Sequence, residues 1–321
     1  MNNLKEVRVL VTGAGGFIGS HLTRRLVNEG AMVSAFEISK RDNINDLIDK
    51  IDFYNINLCD FESVRNTIKN IQPEVIYHLA GVVDVKRSFL DIDRIISANI
   101  QGTANLLHAL EGINYDCFIN TGTCEEYGDN PAPFVEEQMP NPVSPYSASK
   151  VWATFFCKML YKTLGCPIIT LRPFLTYGPY QFSNMLIPST IISALFKKEF
   201  KLSKGEQTRE FNYVSDIVDG FIKASLAKKA IGEIINIGNG KEYRIKDVVI
   251  KILDIMGNPI EPVIGALPYR PGETNHFYCD NTKAGELIGW ESKIDLDTGL
   301  KLTIEWYTKE FKKGNLEKWM K

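Results

Sequence analysis

A glycine-rich turn near the start constrains this chain more than any other feature of its sequence. Residues 11–19 read Val-Thr-Gly-Ala-Gly-Gly-Phe-Ile-Gly and follow a strand-like run, Val7–Thr12. Ser20–Glu29 then has the pattern of an amphipathic helix that ends at Gly30. Glycines at this spacing allow a tight turn and a close approach of the backbone to a pyrophosphate, which the helix N-terminus also favours. The turn therefore predicts a dinucleotide site that includes Gly13, Gly16, Phe17, Ile18 and Gly19.

Strand-like runs alternate with helical stretches along the first half of the chain. Further strands are predicted at Met32–Phe36, Phe53–Asn57, Val75–Leu79 and Cys117–Asn120, with helices near Phe61–Asn70 and Ile92–Leu110. This alternation indicates a parallel sheet joined by right-handed crossovers. The predicted fold class is therefore α/β, a doubly wound parallel (Rossmann) sheet, in which ligands lie at the carboxyl ends of the strands.

The alternating pattern loosens after residue 172, where proline and glycine become frequent. We expect a Rossmann domain over residues 1–172 that binds the dinucleotide, and a smaller C-terminal α/β lobe over residues 173–321 that binds the substrate. The boundary is not sharp, because a later strand such as Ile234–Ile237 is compatible with a return to the main sheet.

Composition argues against several classes of function. The 321 residues include 37 basic and 39 acidic side chains, a formal charge of −2, which gives no electrostatic reason for a nucleic-acid partner. No apolar run is long enough to span a bilayer, and the first residues lack the pattern of a secretory signal. The six cysteines form no CxxC pair, as is typical of reduced thiols in the cytoplasm, and the four histidines lack metal-ligand spacing. We therefore expect a cytoplasmic protein without a membrane partner or a metal.

The second predicted strand is followed by an acidic residue, Glu37. A carboxylate at this position accepts hydrogen bonds from adenosine ribose hydroxyls and repels a 2′-phosphate, so NAD is favoured over NADP. Ser39, Lys40 and Arg41 follow directly and could hold a phosphate, which keeps NADP open as the alternative.

Tyr146 and Lys150 are four positions apart, a spacing that places both side chains on one helix face. Pro145 suits the first turn of that helix, and Ser144 suits its cap. The ordinary pKa of a phenol is about 10, and a neighbouring ammonium and the cationic nicotinamide both stabilise the phenolate, so Tyr146 is a candidate general base. The Tyr-x-x-x-Lys spacing is a weak signal by itself, but it is a specific one in a chain that also has the glycine turn upstream.

The glycine turn and the Tyr146–Lys150 pair belong to a longer series of segments that together match the motifs of one enzyme family. These segments are Thr12–Gly19, His78–Gly81, Asn99–Thr103, Thr121–Gly128, Tyr146–Lys150, Leu171–Pro173, Tyr177–Pro179, Gly205–Asp216 and Arg270–Glu273. With these segments the chain resembles the extended short-chain dehydrogenase/reductase family, and within it the sugar-nucleotide epimerases and dehydratases, over essentially its whole length. The resemblance implies an NAD-dependent enzyme that acts on a nucleotide-diphosphate sugar. It also implies a homodimer formed by two helices per subunit, here Ile95–Leu110 and the helix that carries Tyr146.

The resemblance further implies roles for individual residues. Thr123 would orient the sugar 4-hydroxyl beside Tyr146, and Lys150 would also hold the nicotinamide ribose. Further cofactor contacts are implied for Asn57, Leu58, Leu79, Ala80, Gly81 and Asn99. The substrate diphosphate and nucleotide would be bound by Arg209, Arg270 and Gln207, since an arginine fork suits phosphate.

One position departs from the family pattern. Leu175 stands where the family usually has an asparagine that contacts the substrate phosphate, in a segment resembling RxxNxYGP. This departure leaves the redox residues unchanged but alters the expected contacts with the substrate.

The triplet Thr123-Cys124-Glu125 resembles the Thr-x-Glu of sugar-nucleotide 4,6-dehydratases. Oxidation at C4 acidifies the C5 proton, which Glu125 would remove, and Cys124 stands where the acid for the departing C6 hydroxyl usually lies. Some dehydratases that form a 5,6-alkene carry cysteine there. Cys124 as a small buried residue remains the alternative, and Glu126 is interpreted as a solvated neighbour.

We therefore predict an NAD-dependent sugar-nucleotide dehydratase of the 4,6-type, or of the 5,6-type, that acts through a transient 4-keto sugar. The main alternative is a 4-epimerase, which needs Thr123 and Tyr146 but not Glu125. A decarboxylase of nucleotide glucuronates and a keto-sugar reductase are further alternatives. A non-catalytic NAD-sensing protein on the same fold usually lacks the tyrosine or the lysine, and both are present here.

Overall fold

A computed structural model describes residues 3–38, 42–85, 88–269 and 272–316. The strands within these ranges are, in chain order, β1 (Arg8–Thr12), β2 (Met32–Glu37), β3 (Asp52–Asn55), β4 (Val75–His78), β5 (Cys117–Thr121), β6 (Ile168–Pro173), β7 (Thr176–Tyr177), β8 (Phe200–Leu202), β9 (Thr208–Glu210), β10 (Asn212–Tyr213), β11 (Ile234–Ile237), β12 (Glu242–Arg244) and β13 (Pro262–Ile264). The α-helices are α1 (Phe17–Asn28), α2 (Phe61–Ile71), α3 (Ile92–Ile95), α4 (Gly102–Ala109), α5 (Pro145–Leu164), α6 (Leu186–Leu195), α7 (Val214–Leu226), α8 (Ile245–Ile255), α9 (Thr282–Ile288) and α10 (Leu296–Lys312).

Seven of the strands form one parallel sheet with the order β3-β2-β1-β4-β5-β6-β11. The order reverses at β1, whose neighbours are β2 on one side and β4 on the other. In such a sheet the loops on either side of the reversal separate and leave a crevice at the carboxyl ends of the strands. The predicted doubly wound α/β fold is therefore confirmed.

Helices cover both faces of this sheet. On one face α1, α7 and α9 pack their apolar residues, such as Leu22 and Phe221, against the strands. On the other face α2, α4 and α5 do the same through residues such as Ile68, Leu106 and Cys157. Burial on both faces explains why the strand sequences are almost continuously apolar.

Most predicted elements agree with the observed ones to within one residue, and three differ. The first helix begins at Phe17 instead of Ser20, because Gly16 is its N-cap and the glycine turn itself opens the helix. Strand β3 ends at Asn55, two residues before the predicted end. The stretch predicted as one helix, Ile92–Leu110, contains a π-helical turn over Ile96–Gln101 between α3 and α4.

The second half of the chain builds a smaller unit beside the sheet. Its core lies between α6, α8 and α10 and includes Ile191, Ile252 and Leu300. Three two-stranded ladders surround that core: β7 with β10, β8 with β13, and β9 with β12. β11 joins the edge of the main sheet beside β6, and α7 packs against α1. In the described part of the chain, no helix combines the length and apolar character needed to cross a membrane.

Candidate active site

The glycine turn lies between β1 and α1, at the point where the strand order reverses. Gly13 has a φ of +69°, and a Cβ there would lie 2.8 Å from the Ala80 backbone nitrogen, so only glycine fits. A Cβ on Gly19 would lie 2.0 Å from the Gly13 carbonyl oxygen. Gly16 supplies no side-chain cap to α1, and the half-buried Phe17 and Ile18 form the first turn. The turn therefore has the tight geometry and the uncapped helix N-terminus that suit a dinucleotide pyrophosphate.

Glu37 lies at the end of β2, buried beside this turn. Its Oε2 accepts a hydrogen bond of 3.0 Å from the Gly15 backbone N–H, and its Oε1 accepts one of 2.8 Å from Ile38. Asn43 donates to the Gly15 carbonyl over 3.0 Å. The predicted acid thus adjoins the glycine turn. Ser39, Lys40 and Arg41 lie outside the described residues.

A buried histidine at the end of β4, His78, links β1 to helix α4. The His78 Nδ1 lies 2.8 Å from the Thr12 hydroxyl, and its Nε2 lies 2.8 Å from the Thr103 hydroxyl. The Thr12 hydroxyl also accepts from the Ala80 N–H over 3.2 Å. Burial lowers the pKa of His78 to about 3, so the ring is neutral. Sequence reasoning gave His78 and Thr103 no chemical role, although both lie in segments that carry the family pattern.

Asn99 lies in the π-helical turn and joins the loop after β4 to helix α5. Its Nδ2 donates to the Val82 carbonyl over 3.0 Å and to the Ser149 hydroxyl over 2.9 Å, and its Oδ1 accepts from the Val82 N–H over 2.7 Å. A Cβ on Gly81 would lie 3.0 Å from the Asn99 Oδ1 and 3.6 Å from the Lys150 Nζ. The structure therefore brings the Leu79–Gly81 segment, Asn99 and Lys150 together. π-helical turns are frequent at functional sites.

Helix α5 begins as the sequence predicts. The Ser144 hydroxyl accepts a hydrogen bond of 3.1 Å from the Ser147 N–H, and Pro145 occupies the first turn. Tyr146 and Lys150 are both buried one turn apart. The Lys150 ammonium donates to the Thr121 carbonyl over 2.9 Å. Burial lowers the pKa of Lys150 to about 8, and the charge of Glu126 opposes that shift.

Burial also governs the Tyr146 phenol. It raises the pKa of Tyr146 above its ordinary value, while a hydrogen bond with the Thr123 side chain acts in the opposite direction. The phenol is therefore protonated at neutral pH in the protein without its cofactor, and a phenolate stabilised by Lys150 together with the cationic nicotinamide stays a prediction. Additional positive charge beside Tyr146 is needed to make the phenol a base near neutral pH.

Thr123 lies between the groups that the sequence selected. Its hydroxyl accepts from the Glu125 N–H over 3.3 Å and caps the short 3₁₀ helix Cys124–Tyr127. The Thr123 side chain also lies close enough to the Tyr146 phenol and the Cys124 thiol to lower the pKa of each. Glu125 is half-buried on the same turn. Thr123, Cys124, Glu125 and Tyr146 thus lie together at the carboxyl edge of the sheet.

Cys124 is buried in an apolar cluster that includes Phe134 and Phe174. Burial raises the pKa of its thiol well above the ordinary value, and the negative charges of Glu125 and Glu210 raise it further. The thiol therefore keeps its proton at neutral pH but is a weak acid. The surroundings of Cys124 are thus compatible with both roles considered for it, a small buried residue and a weak proton donor.

The interpretation of Glu126 as a solvated residue is wrong. Its carboxylate is completely buried and accepts hydrogen bonds of 3.0 and 2.8 Å from the Nε and Nη2 atoms of Arg172. Arg172 lies 46 residues further along the chain, on β6. This pair makes Glu126 part of the buried structure, whereas Glu125, the other acidic residue of the turn, is half-buried.

The predicted substrate residues lie in the second half of the chain. Arg209, on β9, donates to the Thr274 carbonyl over 2.9 Å and forms an ion pair with Glu273. The side-chain oxygen of Gln207 is buried and has no hydrogen-bond partner among the described residues. Arg270 lies outside the described residues. Arg209 and Gln207 therefore share one short segment of the second half of the chain.

The remaining predicted contacts lie at the edges of the site. Asn57 is exposed after β3, where its side chain accepts from the Cys59 N–H over 3.0 Å. Leu58 is buried, and its carbonyl accepts from the Asn105 side chain over 2.8 Å. Leu175, where the family usually has asparagine, packs against two apolar clusters.

The fold and this group of side chains define a nicotinamide-dependent enzyme of the Rossmann class. Residues 10–303 match a family model described as GDP-mannose 4,6 dehydratase. The chain is 31% identical to dTDP-glucose 4,6-dehydratase 1 of Escherichia coli over 94% of this chain and 92% of that protein. It therefore belongs to this family of NAD-dependent sugar-nucleotide dehydratases and epimerases, and the predicted family, enzyme class and cofactor are confirmed.

Solved structures of related enzymes have the same fold. The UDP-glucose 4-epimerase of Thermotoga maritima, determined with UDP-glucose, matches with a TM-score of 0.89 at 30% identity, over 94% of this chain and 99% of that one. The UDP-glucuronic acid 4-epimerase of Bacillus cereus, determined with UDP-glucuronic acid and NAD, matches with a TM-score of 0.87 at 30% identity, over the same shares. Both reactions weighed from the sequence, dehydration and epimerisation, are thus found among its relatives.

Proposed function

We propose that this chain is an NAD-dependent sugar-nucleotide dehydratase, of the 4,6-type or the 5,6-type. The observation that carries the proposal is the placement of Glu125 on the same turn as Thr123, whose side chain contacts the Tyr146 phenol. The dehydratase name of the relative from Escherichia coli supports it further. Oxidation at C4 alone needs Thr123, Tyr146 and Lys150, whereas a carboxylate beside them is needed for elimination.

The first half of the reaction uses the residues on α5. When bound, NAD supplies a reversible hydride acceptor for C4 of the sugar. The C4 hydroxyl proton passes to Tyr146, with Thr123 orienting that hydroxyl and the Lys150 ammonium favouring the phenolate. Because burial raises the pKa of Tyr146 in the protein alone, the cationic nicotinamide ring would contribute to its ionisation.

The second half uses the turn after β5. The 4-keto group acidifies the C5 proton, which Glu125 removes, and the C6 hydroxyl leaves as water after it gains a proton. Cys124 is the proposed donor of that proton, and its raised pKa makes it a weak one. In the 4,6-type the hydride would return to C6 while Glu125 gives a proton to C5, and in the 5,6-type it would return to C4 while Tyr146 gives a proton to the C4 oxygen. The NAD would thus end each turnover in its starting oxidation state.

Cofactor binding is proposed for the carboxyl edge of β1, β2 and β4. The pyrophosphate would lie at Gly13, Gly16 and the first turn of α1, which contains Phe17, Ile18 and Gly19. Glu37 would accept hydrogen bonds from the adenosine ribose, which selects NAD over NADP. Asn57 and Leu58 would contact the adenine, and the nicotinamide end would lie along Leu79, Ala80, Gly81, Asn99 and Lys150.

Substrate binding is proposed for the ladder of β9 and β12. Arg209 would exchange contacts within its present ion pair for the diphosphate, together with Arg270. The buried oxygen of Gln207 is suited to a donor on the nucleotide. Leu175 offers no polar group in place of the usual asparagine, so we expect Arg209 to contribute a large share of the phosphate affinity.

A 4-epimerase is the second candidate, and a specific observation favours it. The solved structures described above, from Thermotoga maritima and Bacillus cereus, are both epimerases. Epimerisation would use Thr123, Tyr146 and Lys150 in the same way but would leave Glu125 without a role. Residues Thr123–Tyr127 form the turn that we call the catalytic turn. The half-buried Glu125 carboxylate on this turn is the reason to place dehydration first.

We further propose that the enzyme forms a homodimer in the cytoplasm. Exposed apolar side chains on the two helical segments expected at the interface support the dimer, namely Ile96, Phe155 and Met159. The six cysteines are all free, as expected for a reducing compartment.

Mass spectrometry of the reaction products tests the proposed function. The purified protein is incubated without added cofactor with a panel of uridine, thymidine, guanosine and cytidine diphosphate sugars. A product lighter by one water supports dehydration and identifies the substrate. An unchanged mass with inverted configuration at C4 would make the enzyme an epimerase.

A further inference from the structure

Glu126 and Arg172 form an ion pair inside the protein, with side-chain exposures of 0% and 1%. Neither residue has a part in the reaction proposed above. We infer that they are positioning residues, which hold the catalytic turn against helix α5 and thereby set the rate of C4 oxidation. The inference rests on the proposed function only through C4 oxidation, which dehydration and epimerisation share.

The geometry of the Glu126 carboxylate supports this inference. Its Oε1 accepts from the Thr123 backbone N–H over 2.9 Å and from the Thr154 hydroxyl over 3.1 Å. Its Oε2 accepts both hydrogen bonds from Arg172. One carboxylate therefore joins the catalytic turn, helix α5 and strand β6. Thr154 lies one helical turn beyond Lys150, so these bonds fix the distance between the turn and the helix face that carries Tyr146.

The residue before Thr123 is adapted to this contact. A Cβ on Gly122 would lie 2.5 Å from the Glu126 Oε1, so any other residue would push the carboxylate away. Gly122 therefore makes room for the carboxylate to reach the Thr123 backbone. The contact therefore depends on three residues close together in the sequence, Gly122, Thr123 and Glu126.

Arg172 is itself held firmly. Its guanidinium lies 4.6 Å from the centre of the Tyr127 ring, and the Tyr127 hydroxyl donates to the Asn236 side chain on β11 over 2.7 Å. Its Nη1 is buried without a hydrogen-bond partner among the described residues, so the cation depends on Glu126 for compensation. The pair is thus anchored to the main sheet through β6 and β11.

Stability alone is a poor explanation for such a pair. Two buried charges lose their hydration, and an apolar pair of similar volume is often as stable or more stable. A gain in catalysis explains the pair better, because a misplacement of about 1 Å can cost about 100-fold in rate. The turn that this pair fixes carries Thr123, which orients the reacting hydroxyl.

The negative charge of Glu126 also acts on Lys150. It raises the pKa of the ammonium, against the stronger effect of burial, which lowers that pKa to about 8. The other titratable groups that interact with Lys150 are Cys157 on the same helix and His78 on β4. Loss of the Glu126 charge would therefore deprotonate Lys150 at lower pH, and the ammonium would no longer favour the phenolate.

Two double variants separate positioning from charge. Glu126→Gln with Arg172→Met keeps the side-chain volumes and an acceptor for the Thr123 N–H but removes both charges. Glu126→Leu with Arg172→Met also removes the acceptor. Both variants avoid an unpaired buried charge, which would otherwise threaten folding. Asp216→Asn is the matched control, since Asp216 is buried but bonds to the Lys293 and Ile294 backbone, away from the catalytic turn.

Kinetics are measured on the substrate that the wild-type enzyme converts, with thermal unfolding to confirm folding. For the glutamine variant we expect the alkaline limb of kcat to move to lower pH by about 0.5–1 unit. For the leucine variant we expect a further loss of about 10-fold or more in kcat, with KM changed less than about threefold. Asp216→Asn should change stability but neither kcat nor the pH profile.

Wild-type kcat and an unshifted pH profile in the folded double variants would overturn the inference. If the leucine variant does not fold, the glutamine variant decides the matter, because it has lost both hydrogen bonds from Arg172 that hold the turn, and wild-type kcat with an unshifted pH profile would overturn the inference. A wild-type enzyme that converts no nucleotide sugar would count against the proposed function instead, so the two failures are distinguishable. An epimerase outcome leaves the expectations for these variants unchanged.

Discussion

The proposed redox residues and the proposed substrate residues of this chain are supported in different ways. Tyr146, Lys150 and Asn99 are buried at the carboxyl edge of a seven-stranded sheet, within hydrogen bonds that link β4, the π-helical turn and α5. Arg209 lies on a two-stranded ladder, Gln207 directly precedes its strand β9, and both residues are only half-buried. The first group is fixed before any substrate arrives, whereas the second is built on short strands and loops that tolerate change. We therefore propose that the C4 chemistry depends on the main sheet and that substrate choice depends on the smaller unit.

Replacement of Tyr146 tests the rigid side of this comparison and should have the largest effect. Tyr146→Phe removes the proton acceptor but keeps the ring, so we expect kcat to fall by about 10³-fold or more, with NAD and nucleotide binding unchanged. Steady-state kinetics and calorimetric titration measure the two quantities. Tyr161→Phe, an exposed tyrosine on the same helix, is the control and should retain wild-type activity.

Replacement of Glu125 separates elimination from oxidation. Glu125→Gln keeps the size of the side chain but removes the base, so we expect elimination to slow by about 100-fold or more while C4 oxidation continues. Oxidation is followed by nicotinamide absorbance in a single turnover, and elimination by product mass. Glu137→Gln changes an exposed acid and should have no effect. Normal elimination by Glu125→Gln would remove Glu125 from the mechanism.

Replacement of Arg209 tests the flexible side of the comparison. Arg209→Met should raise KM for the nucleotide sugar by about 10- to 100-fold, the equivalent of about 1–3 kcal/mol of charge-assisted hydrogen bonding, with kcat nearly unchanged. Arg244→Met, an exposed arginine on the adjoining strand β12, is the control. A fall in kcat with KM unchanged would mean that Arg209 acts on the chemistry, and the division between the two regions would fail.

Replacement of Cys124 should have the smallest effect. Since burial raises the pKa of the thiol well above its ordinary value, proton donation by Cys124 contributes modestly. We expect Cys124→Ser to slow elimination by less than about 10-fold and to leave C4 oxidation intact. Cys117→Ser, at the amino end of β5, is the control for loss of a buried thiol. Equal rates in both variants and the wild type would assign Cys124 to packing.

The sequence predicted the parts of the site that depend on local spacing. The glycine turn, the helix that begins at Pro145 and the Thr123–Glu125 triplet each involve neighbouring residues, and the structure places each as expected. The Glu126 pair was not predictable in this way, because Arg172 is distant in the sequence and either residue alone resembles an ordinary surface charge. The raised pKa of Tyr146 was also missed, since it depends on burial by the whole fold.

The site also shows why family patterns predict the reaction less well than the fold. The residues for C4 oxidation serve dehydratases and epimerases equally, so they do not distinguish between them. We assign the distinction to Glu125 and Cys124. The environment of Cys124 is set by Thr123, Glu210 and an apolar cluster that forms only in the folded chain. The same limit applies to Leu175, whose packing became visible only in the structure.

Conversion, in deuterated water, of the nucleotide sugar that the purified enzyme accepts would test the central claim most directly. The claim is that Glu125 removes the C5 proton after oxidation at C4, so a carbon-bound solvent deuteron enters the product only if that step occurs. For a 4,6-dehydratase we predict a product that has lost one water and carries one deuterium at C5 after back-exchange of the hydroxyl groups. Unchanged mass, no carbon-bound deuterium and a changed configuration at C4 would contradict the account and establish an epimerase.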